Sequence, residues 1–367
     1  MNTALDDNEL ELQGLARQIT ARRSTPERLA EIEESADRFD RALWSELAAA
    51  GLLGAGLAED HGGLGLGVVG AALVAAEVGR TVAAVPYAEV AAAAITLARH
   101  GSAAQKEQWL ARIVAGDALV VVAPVQSAVG LRMSGARLSG TAIGVPWAHV
   151  ADAVLLVVDG TVLLLDPQAD GVVAARGETT ARQVALDLAF DEVPVEQVGS
   201  APTVSFVAEC WLTLLAATQA GVTDAAVRMT AAYTSEREQF GKPLSTFQGV
   251  ALAAADAFVE SRAIEAVAMQ AAQMLDAQSM DADADVDATL AVLTAAWWAS
   301  DAGQRCVHRT QHLHGGMGAD ITYPVHRYFL WGKQIELMCG AASSLLTDLG
   351  DALADRPLAG DAVHLPG

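Results

Sequence analysis

The chain is poor in cationic residues and in cysteine. Its 367 residues include 23 Lys and Arg against 45 Asp and Glu, which gives a formal net charge of −22. This balance argues against a nucleic-acid partner, because a polyanion needs a basic surface. An anionic ligand must instead meet a local cluster of donors. The three cysteines, Cys210, Cys306 and Cys339, are odd in number and widely spaced, so they predict neither a disulfide framework nor a zinc site. A reducing cytoplasm is the expected compartment.

Long uncharged runs are also missing, although 52% of the residues are hydrophobic. The longest stretch without Asp, Glu, Lys or Arg is residues 61–76, and its five glycines make it a poor membrane-spanning helix. The first residues, MNTALDDNELELQ, are acidic and contain no basic segment followed by an apolar one, so no signal peptide is predicted. We therefore expect no membrane partner, and we expect the surplus apolar surface in a core and in subunit interfaces.

The segments that are present change character along the chain. Residues 1–118 carry apolar positions at helical spacing and predict an N-terminal helical domain. Residues 119–198 contain short β-branched runs bounded by Gly, Asp and Pro, which predict a small β domain. Residues 199–355 return to long helical patterns around an acidic loop at residues 281–287, and residues 356–367 are predicted to be a frayed tail. The predicted class is α+β, mainly α.

Five motifs occur in a fixed order. They are AEDHGGLG (58–65), GSAAQKEQWL (101–110), FDEVPV (190–195), TSEREQFGKPLSTFQ (234–248) and HLHGGMGADITYPVHR (312–327). Together they resemble the acyl-CoA dehydrogenase family over nearly the whole chain. The closest resemblance is to the second subunits of bacterial heteromeric acyl-CoA dehydrogenases that act on steroid side-chain CoA thioesters. The resemblance implies an N-terminal helical domain, a middle β domain and a C-terminal four-helix bundle.

The motif at residues 234–248 contains groups that suit a dinucleotide. Arg237 offers a planar cationic fork for a pyrophosphate, and Phe240 can lie against an adenine or a ribose. Residues that match Arg237, Phe240 and Gln248 in the family hold the adenosine-diphosphate half of an FAD bound mainly to a neighbouring subunit. Without the resemblance, a surface arginine beside a core phenylalanine is the simpler interpretation.

The glycines of the last motif suit a phosphate, because they let backbone amides approach it closely. The resemblance assigns Gly315 and Gly316 to the same neighbouring flavin, together with His312, which replaces the family's usual glutamine. A neutral histidine can still donate one hydrogen bond. The nearby histidines could instead indicate a metal, but no carboxylate or thiolate falls at close ligand spacing, and no metal site is predicted.

The family's catalytic glutamate is absent. Removal of the α-proton of an acyl-CoA, while the β-hydrogen leaves as hydride to a flavin, requires a carboxylate base. Counting on from Tyr-Pro-Val-His-Arg at residues 323–327 places Cys339 at the family's usual position. The position that a minority of the family uses falls on Trp211. Glu209 is near Trp211 and Glu336 is near Cys339, but neither glutamate occupies the position of the base. A thiol of ordinary pKa is mostly neutral, so no catalytic residue is predicted.

The site for the flavin ring is also predicted to be damaged. Residues 123–127 (APVQS) stand where the family has a longer loop with acidic and glycine residues, so the segment is shortened. Gly144, Val145 and Pro146 replace a Trp-Ile-Thr step and supply neither indole nor hydroxyl. Trp147 lies three residues past the indole's position and is interpreted as packing. Contacts to a neighbour's flavin are thus kept, whereas contacts to the chain's own flavin are lost.

This asymmetry, with the resemblance, predicts the non-catalytic subunit of an FAD-dependent acyl-CoA dehydrogenase. The implied partners are a homologous catalytic subunit in an α2β2 heterotetramer, an acyl-CoA substrate and electron-transfer flavoprotein as acceptor. Two alternatives stay open: a stand-alone enzyme of this fold with an unusual base or a hydratase- or oxidase-like activity, and a non-enzymatic CoA-binding or assembly protein. The steroid assignment rests on the resemblance alone.

Overall fold

A computed structural model describes residues 5–280 and 288–354. The predicted loop at residues 281–287 and the predicted tail at residues 356–367 lie outside these ranges. Within them, the α+β class, mainly α, is confirmed: helices come first, strands follow, and long helices close the chain. The exact domain boundaries stay predictions.

Six helices form the N-terminal part: α1 (Asp7–Arg23), α2 (Pro26–Glu34), α3 (Arg41–Ala49), α4 (Gly67–Arg80), α5 (Tyr87–His100) and α6 (Ala103–Val114). Local signals set their starts. Asp6 and Glu9 form a capping box at the N-terminus of α1, and Ser102 and Gln105 form one at the N-terminus of α6, so backbone donors at these two N-termini are satisfied. Helix α4 is apolar nearly all round and is buried as a core helix.

Eight strands follow: β1 (Val120–Val122), β2 (Ala128–Ser134), β3 (Arg137–Pro146), β4 (Ala153–Val158), β5 (Thr161–Leu165), β6 (Val172–Glu178), β7 (Val184–Pro194) and β8 (Glu196–Gly199). They form two four-stranded sheets with orders β1-β4-β5-β8 and β2-β3-β7-β6. Only the β1–β4 pair is parallel. Residues 123–127 connect β1 to β2. That this segment is shorter than in the family stays a prediction.

The C-terminal part contains α7 (Ala201–Glu236), the short strands β9 (Glu238–Gln239) and β10 (Lys242–Pro243), and the helices α8 (Gln248–Met280), α9 (Thr289–Leu313), α10 (Val325–Cys339) and α11 (Ala342–Ala354). Helices α7 to α10 pack on one another as a bundle. By length and composition α7 could cross a membrane, but 61% of its most apolar window is buried inside the protein, as in the core helix of a bundle.

The backbones of helices α4 and α7 approach each other very closely where the helices cross. A Cβ atom on Gly221 would lie 1.8 Å from the carbonyl oxygen of Ala76, and one on Gly79 would lie 2.0 Å from that of Thr218. Beside the crossing, the buried Glu77 accepts hydrogen bonds from arginines of α1 and α4. The two glycines therefore allow a backbone contact that fixes the N-terminal helices on the bundle.

Candidate functional site

An open groove of about 580 Å³ lies where α7 ends and α9 runs into its glycine turn. Its lining includes Arg237, His312, Gly315 and Gly316, so four of the six predicted contact residues come together there. Arg237 follows the last residue of α7, and its backbone N–H donates to the carbonyl of Tyr233 at 2.8 Å. Its exposed guanidinium forms no ion pair within the part of the chain that the structure describes. The groove thus offers a cation and open backbone to an anion.

The other two predicted residues, Phe240 and Gln248, flank the groove and are exposed. Phe240 and Gly241 form the two-residue turn between β9 and β10, and both have positive φ, +55° and +77°. This turn type suits a tight hairpin, but it is unusual for a phenylalanine. The ring of Phe240 is 92% exposed, and its one described ring contact is edge-on to Phe247. The hairpin therefore presents an aromatic ring to solvent.

The glycine turn is held by its neighbours and is open to solvent. Cβ atoms built on Gly315 and Gly316 would meet nothing within 4 Å, whereas one on Gly318 would lie 2.3 Å from the carbonyl oxygen of Gln311. Gly315 has a φ of +56°. The turn leaves room for a ligand at the first two glycines and packs at the third. Contact of these residues with a flavin stays a prediction.

His314 lies beneath the groove and was missed by the sequence argument. Its side chain is almost fully buried, and its ring stacks on Tyr233 with centroids 4.5 Å apart. Nδ1 donates to the carbonyl of Thr310 at 2.7 Å, since a carbonyl only accepts, and burial lowers the pKa of His314. Two signals were available: His314 precedes the glycine pair, and Tyr233 lies one helical turn before Arg237.

No carboxylate occupies either of the family's base positions. Cys339 lies at the end of α10, and its burial raises the pKa of the thiol to about 12, which keeps it neutral near pH 7. Trp211 is 2% exposed and packs in the core. Of the nearby acids, Glu209 accepts a hydrogen bond from Thr289 at 2.8 Å and Glu336 pairs with a lysine one turn before it. None of these groups is placed as a free base.

The space between the β domain and α10 is closed. Nε2 of Gln126 donates to the carbonyl of Met338 at 3.3 Å, and the backbone N–H of Thr180 donates to Gln334 at 3.1 Å. Trp147 is 1% exposed, so its interpretation as a packing residue holds. The cavity left beside it measures about 30 Å³, room for roughly one water. A cavity of this size does not admit a tricyclic flavin ring.

Glu89 of α5 is the one ionisable side chain among the described residues that line this small cavity. Its burial raises the pKa of Glu89 from 4.5 to about 7. Because the folded-state pKa lies above the unfolded value, folding binds a proton between about pH 4.5 and 7. Stability is therefore lost as the pH rises through this window and stays lower above it.

Replacing Glu89 with glutamine removes the ionisation. We expect the Gln variant to be more stable than the wild type, with a gain larger at pH 8 than at pH 5 by on the order of 2 kcal/mol. Urea unfolding at the two pH values measures this difference, since other titrating groups cancel between variant and wild type. Glu107→Gln, at an exposed position of α6, serves as the matched control. Equal gains at both pH values would show that Glu89 is not titrating in this cavity.

Comparison with known proteins gives consistent matches. The model of the acyl-CoA dehydrogenase N-terminal domain matches residues 6–117, and that of the acyl-CoA dehydrogenase C-terminal domain matches residues 213–354. Acyl-CoA dehydrogenase FadE27 of Mycobacterium tuberculosis is 35% identical over 365 residues, 95% of this chain and 97% of that protein.

Two solved structures are similar over nearly their full lengths. The ChsE4-ChsE5 complex from Mycobacterium tuberculosis matches with a TM-score of 0.90 and 33% identity over 97% of this chain and 100% of the other. A variant of the Tcur3481-Tcur3483 steroid ACAD matches with a TM-score of 0.88 and 41% identity over 95% of this chain and 98% of the other.

Proposed function

The chain belongs to the acyl-CoA dehydrogenase family, and we propose that it is the non-catalytic subunit of a heteromeric, FAD-dependent member. A homologous catalytic subunit supplies the carboxylate base and the site of the flavin ring, and this chain contributes contacts to the adenosine-diphosphate half. One contrast carries the proposal. The groove around Arg237 is open and presents a cation to an anionic ligand. The space between the β domain and α10, near Cys339, is closed, and the neutral thiol of Cys339 is not a base.

The surface around the groove supports a partner subunit. Phe240 presents a large apolar ring to solvent, and the outward face of α8 exposes Leu252, Phe258 and Val259 by 57%, 54% and 63%. Large apolar side chains exposed in this way favour a protein interface over a free surface. On a chain of net charge −22, an arginine that forms no ion pair with any described residue and lies next to exposed glycines is also the kind of local donor that a pyrophosphate needs.

The proposed division of labour follows from the residues. When bound, FAD supplies the acceptor for the hydride that leaves the β-carbon of the acyl-CoA. Arg237 and the turn at Gly315 and Gly316 would hold its pyrophosphate, and Phe240 would cover its adenosine. In this chain, the neutral thiol of Cys339 takes no proton, so the α-proton passes to the partner's carboxylate. Electron-transfer flavoprotein is the proposed electron acceptor.

The substrate and the assembly are proposed from the named relatives. One similar structure is a steroid ACAD and another is a complex of two chains. These support an acyl-CoA whose acyl group is a steroid side chain, and an α2β2 heterotetramer. Cytoplasmic location is proposed because Cys210, Cys306 and Cys339 are all free thiols.

Expression with and without a catalytic partner tests the proposal. Alone, the chain is expected to be insoluble or to carry little FAD, because its gap at α10 does not admit the ring. Co-expressed with an acyl-CoA dehydrogenase chain that retains the glutamate, it should purify as a yellow complex. The visible spectrum and the FAD content per chain measure this. A soluble homo-oligomer with one FAD per chain would favour the stand-alone enzyme instead.

Cys339→Ala distinguishes the proposed non-catalytic subunit from a stand-alone enzyme with an unusual base. If the partner supplies the base, turnover per bound FAD in the complex should stay within a few-fold of wild type, because Cys339 only fills space. Loss of a general base typically costs about 10²–10⁴-fold. Steady-state turnover is compared with that of Cys210→Ala, a second buried thiol. A drop of about a hundredfold with FAD retained would assign the base to this chain.

A further inference from the structure

The two halves of the groove are joined by one aromatic contact beneath it. Arg237 belongs to the α7 half, and Gly315 and Gly316 belong to the α9 half. Tyr233 lies four residues before Arg237, and its carbonyl accepts the backbone N–H of Arg237 at 2.8 Å. The ring of His314 stacks on that of Tyr233 at 4.5 Å with an interplanar angle of 27°. The stack therefore connects the residue that bonds Arg237 with the residue that precedes the glycine turn.

Both members of this stack are fixed by further contacts. The ring of His314 is held by its Nδ1–H bond to Thr310. The hydroxyl of Tyr233 donates to the carbonyl of His314 at 3.4 Å, and Tyr323 lies against both rings at 6.1 and 5.3 Å. His314 is 2% exposed, so it acts on a ligand only through its neighbours.

The first two glycines begin the short 3-10 helix Gly315–Ala319, whose own backbone holds them. Cβ atoms on Gly315 and Gly316 would meet nothing within 4 Å, so no packing fixes them from the groove side. On the far side of the turn, Gln311 donates to the carbonyl of Gly318 at 3.1 Å. On the near side, His314 is the adjoining residue. Its placement therefore sets where the open backbone of the turn lies.

We propose that Tyr233 and His314 are paired positioning residues, which fix the distance between Arg237 and the turn at Gly315 and Gly316 so that one pyrophosphate contacts both. This inference rests on the proposed function, since it takes the ligand to be the adenosine-diphosphate half of FAD. Aromatic rings suit the task because each has two side-chain torsions and a flat face, so the stack has few alternative arrangements.

The co-expressed complex provides the test, with the FAD dissociation constant as the readout. His314→Leu is expected to weaken FAD binding about 3- to 10-fold, the range that one aromatic pair contributes. His314→Phe and Tyr233→Phe keep a ring in the stack but each loses one of the hydrogen bonds that fix it, so both should weaken FAD binding less than His314→Leu does. If His314→Leu does not assemble, Tyr233→Leu replaces it, because it breaks the same stack from α7.

A double-mutant cycle with Arg237→Ala distinguishes positioning from a local structural role. If the stack acts by placing Arg237, His314→Leu should weaken FAD binding less in the Arg237→Ala background than in the wild type. Fully additive losses would overturn the positioning role. So would unchanged FAD binding in His314→Leu while Arg237→Ala releases FAD, and the proposed function would then still stand. If Arg237→Ala itself leaves FAD binding unchanged, the proposed function fails, and this inference fails with it.

Discussion

Under the proposed function, replacing Arg237 with alanine is expected to weaken FAD binding by the complex about 10- to 100-fold, although the flavin ring would lie with the partner. The guanidinium is exposed at the end of α7, lines the groove and forms no ion pair among the described residues. Its removal therefore takes away a charge-assisted contact to pyrophosphate, worth about 1.5–3 kcal/mol, without freeing a buried carboxylate. Equilibrium titration with FAD and loss of flavin on dilution both measure the effect.

Arg228→Ala is the matched control for this experiment. Arg228 lies on the same helix, and its side chain is 73% exposed in an ion pair with Asp224. Asp224 is buried but keeps its second ion pair with Arg80, so the carboxylate is not left unpaired and the complex should keep its FAD. Full FAD occupancy in diluted Arg237→Ala would place Arg237 away from the cofactor. Equal losses in both variants would indicate a general effect of charge.

Gly221→Ala is expected to have the largest effect on stability. The added Cβ would lie 1.8 Å from the carbonyl oxygen of Ala76 and 2.6 Å from the backbone nitrogen of Arg80. Both atoms belong to backbone, so helices α4 and α7 must separate, and the buried Glu77 beside them must shift. We expect a loss of about 3 kcal/mol or more, the upper end for overpacking. Urea unfolding and the yield of soluble complex measure it.

Gly14→Ala is the control: it makes the same chemical change but is expected to raise stability instead of lowering it. Gly14 lies within α1, and a Cβ there would meet nothing within 4 Å. Alanine in an exposed helix is favoured over glycine by about 1 kcal/mol, so this variant should be slightly more stable than wild type. If Gly221→Ala behaved like Gly14→Ala, the close crossing of α4 and α7 would not exist in solution.

The sequence predicts strands well where they are buried and poorly where they are exposed. Strand β5 (Thr161–Leu165) is an apolar run bounded by turn residues, and it forms as expected because most of it is buried. Strands β2 (Ala128–Ser134) and β6 (Val172–Glu178) escaped prediction. They are the two edges of the sheet ordered β2-β3-β7-β6, and most of their side chains are exposed. Edge strands need no apolar run, so periodicity does not reveal them.

The candidate site also has a part that the sequence predicts and a part that it does not. Arg237 and the glycine turn could be found because each belongs to a motif of adjacent residues. The contact between Tyr233 and His314 joins residues 81 positions apart and depends on how α7 and α9 pack. The closure of the gap by Gln126 and Gln334 depends likewise on where the β domain docks against α10. Such contacts arise from tertiary packing and leave no local pattern.

The closed gap also bears on how such a pair of subunits evolves. A glutamate restored at Cys339 would still face a gap that Gln126, Gln334 and Trp147 keep shut. Independent catalysis would need several substitutions together, and none of them alone gives the chain an advantage. Under the proposed function, the loss of the glutamate is hard to reverse once the space beside α10 has closed. Selection then acts on the two genes together, and neither subunit can be lost or transferred without the other.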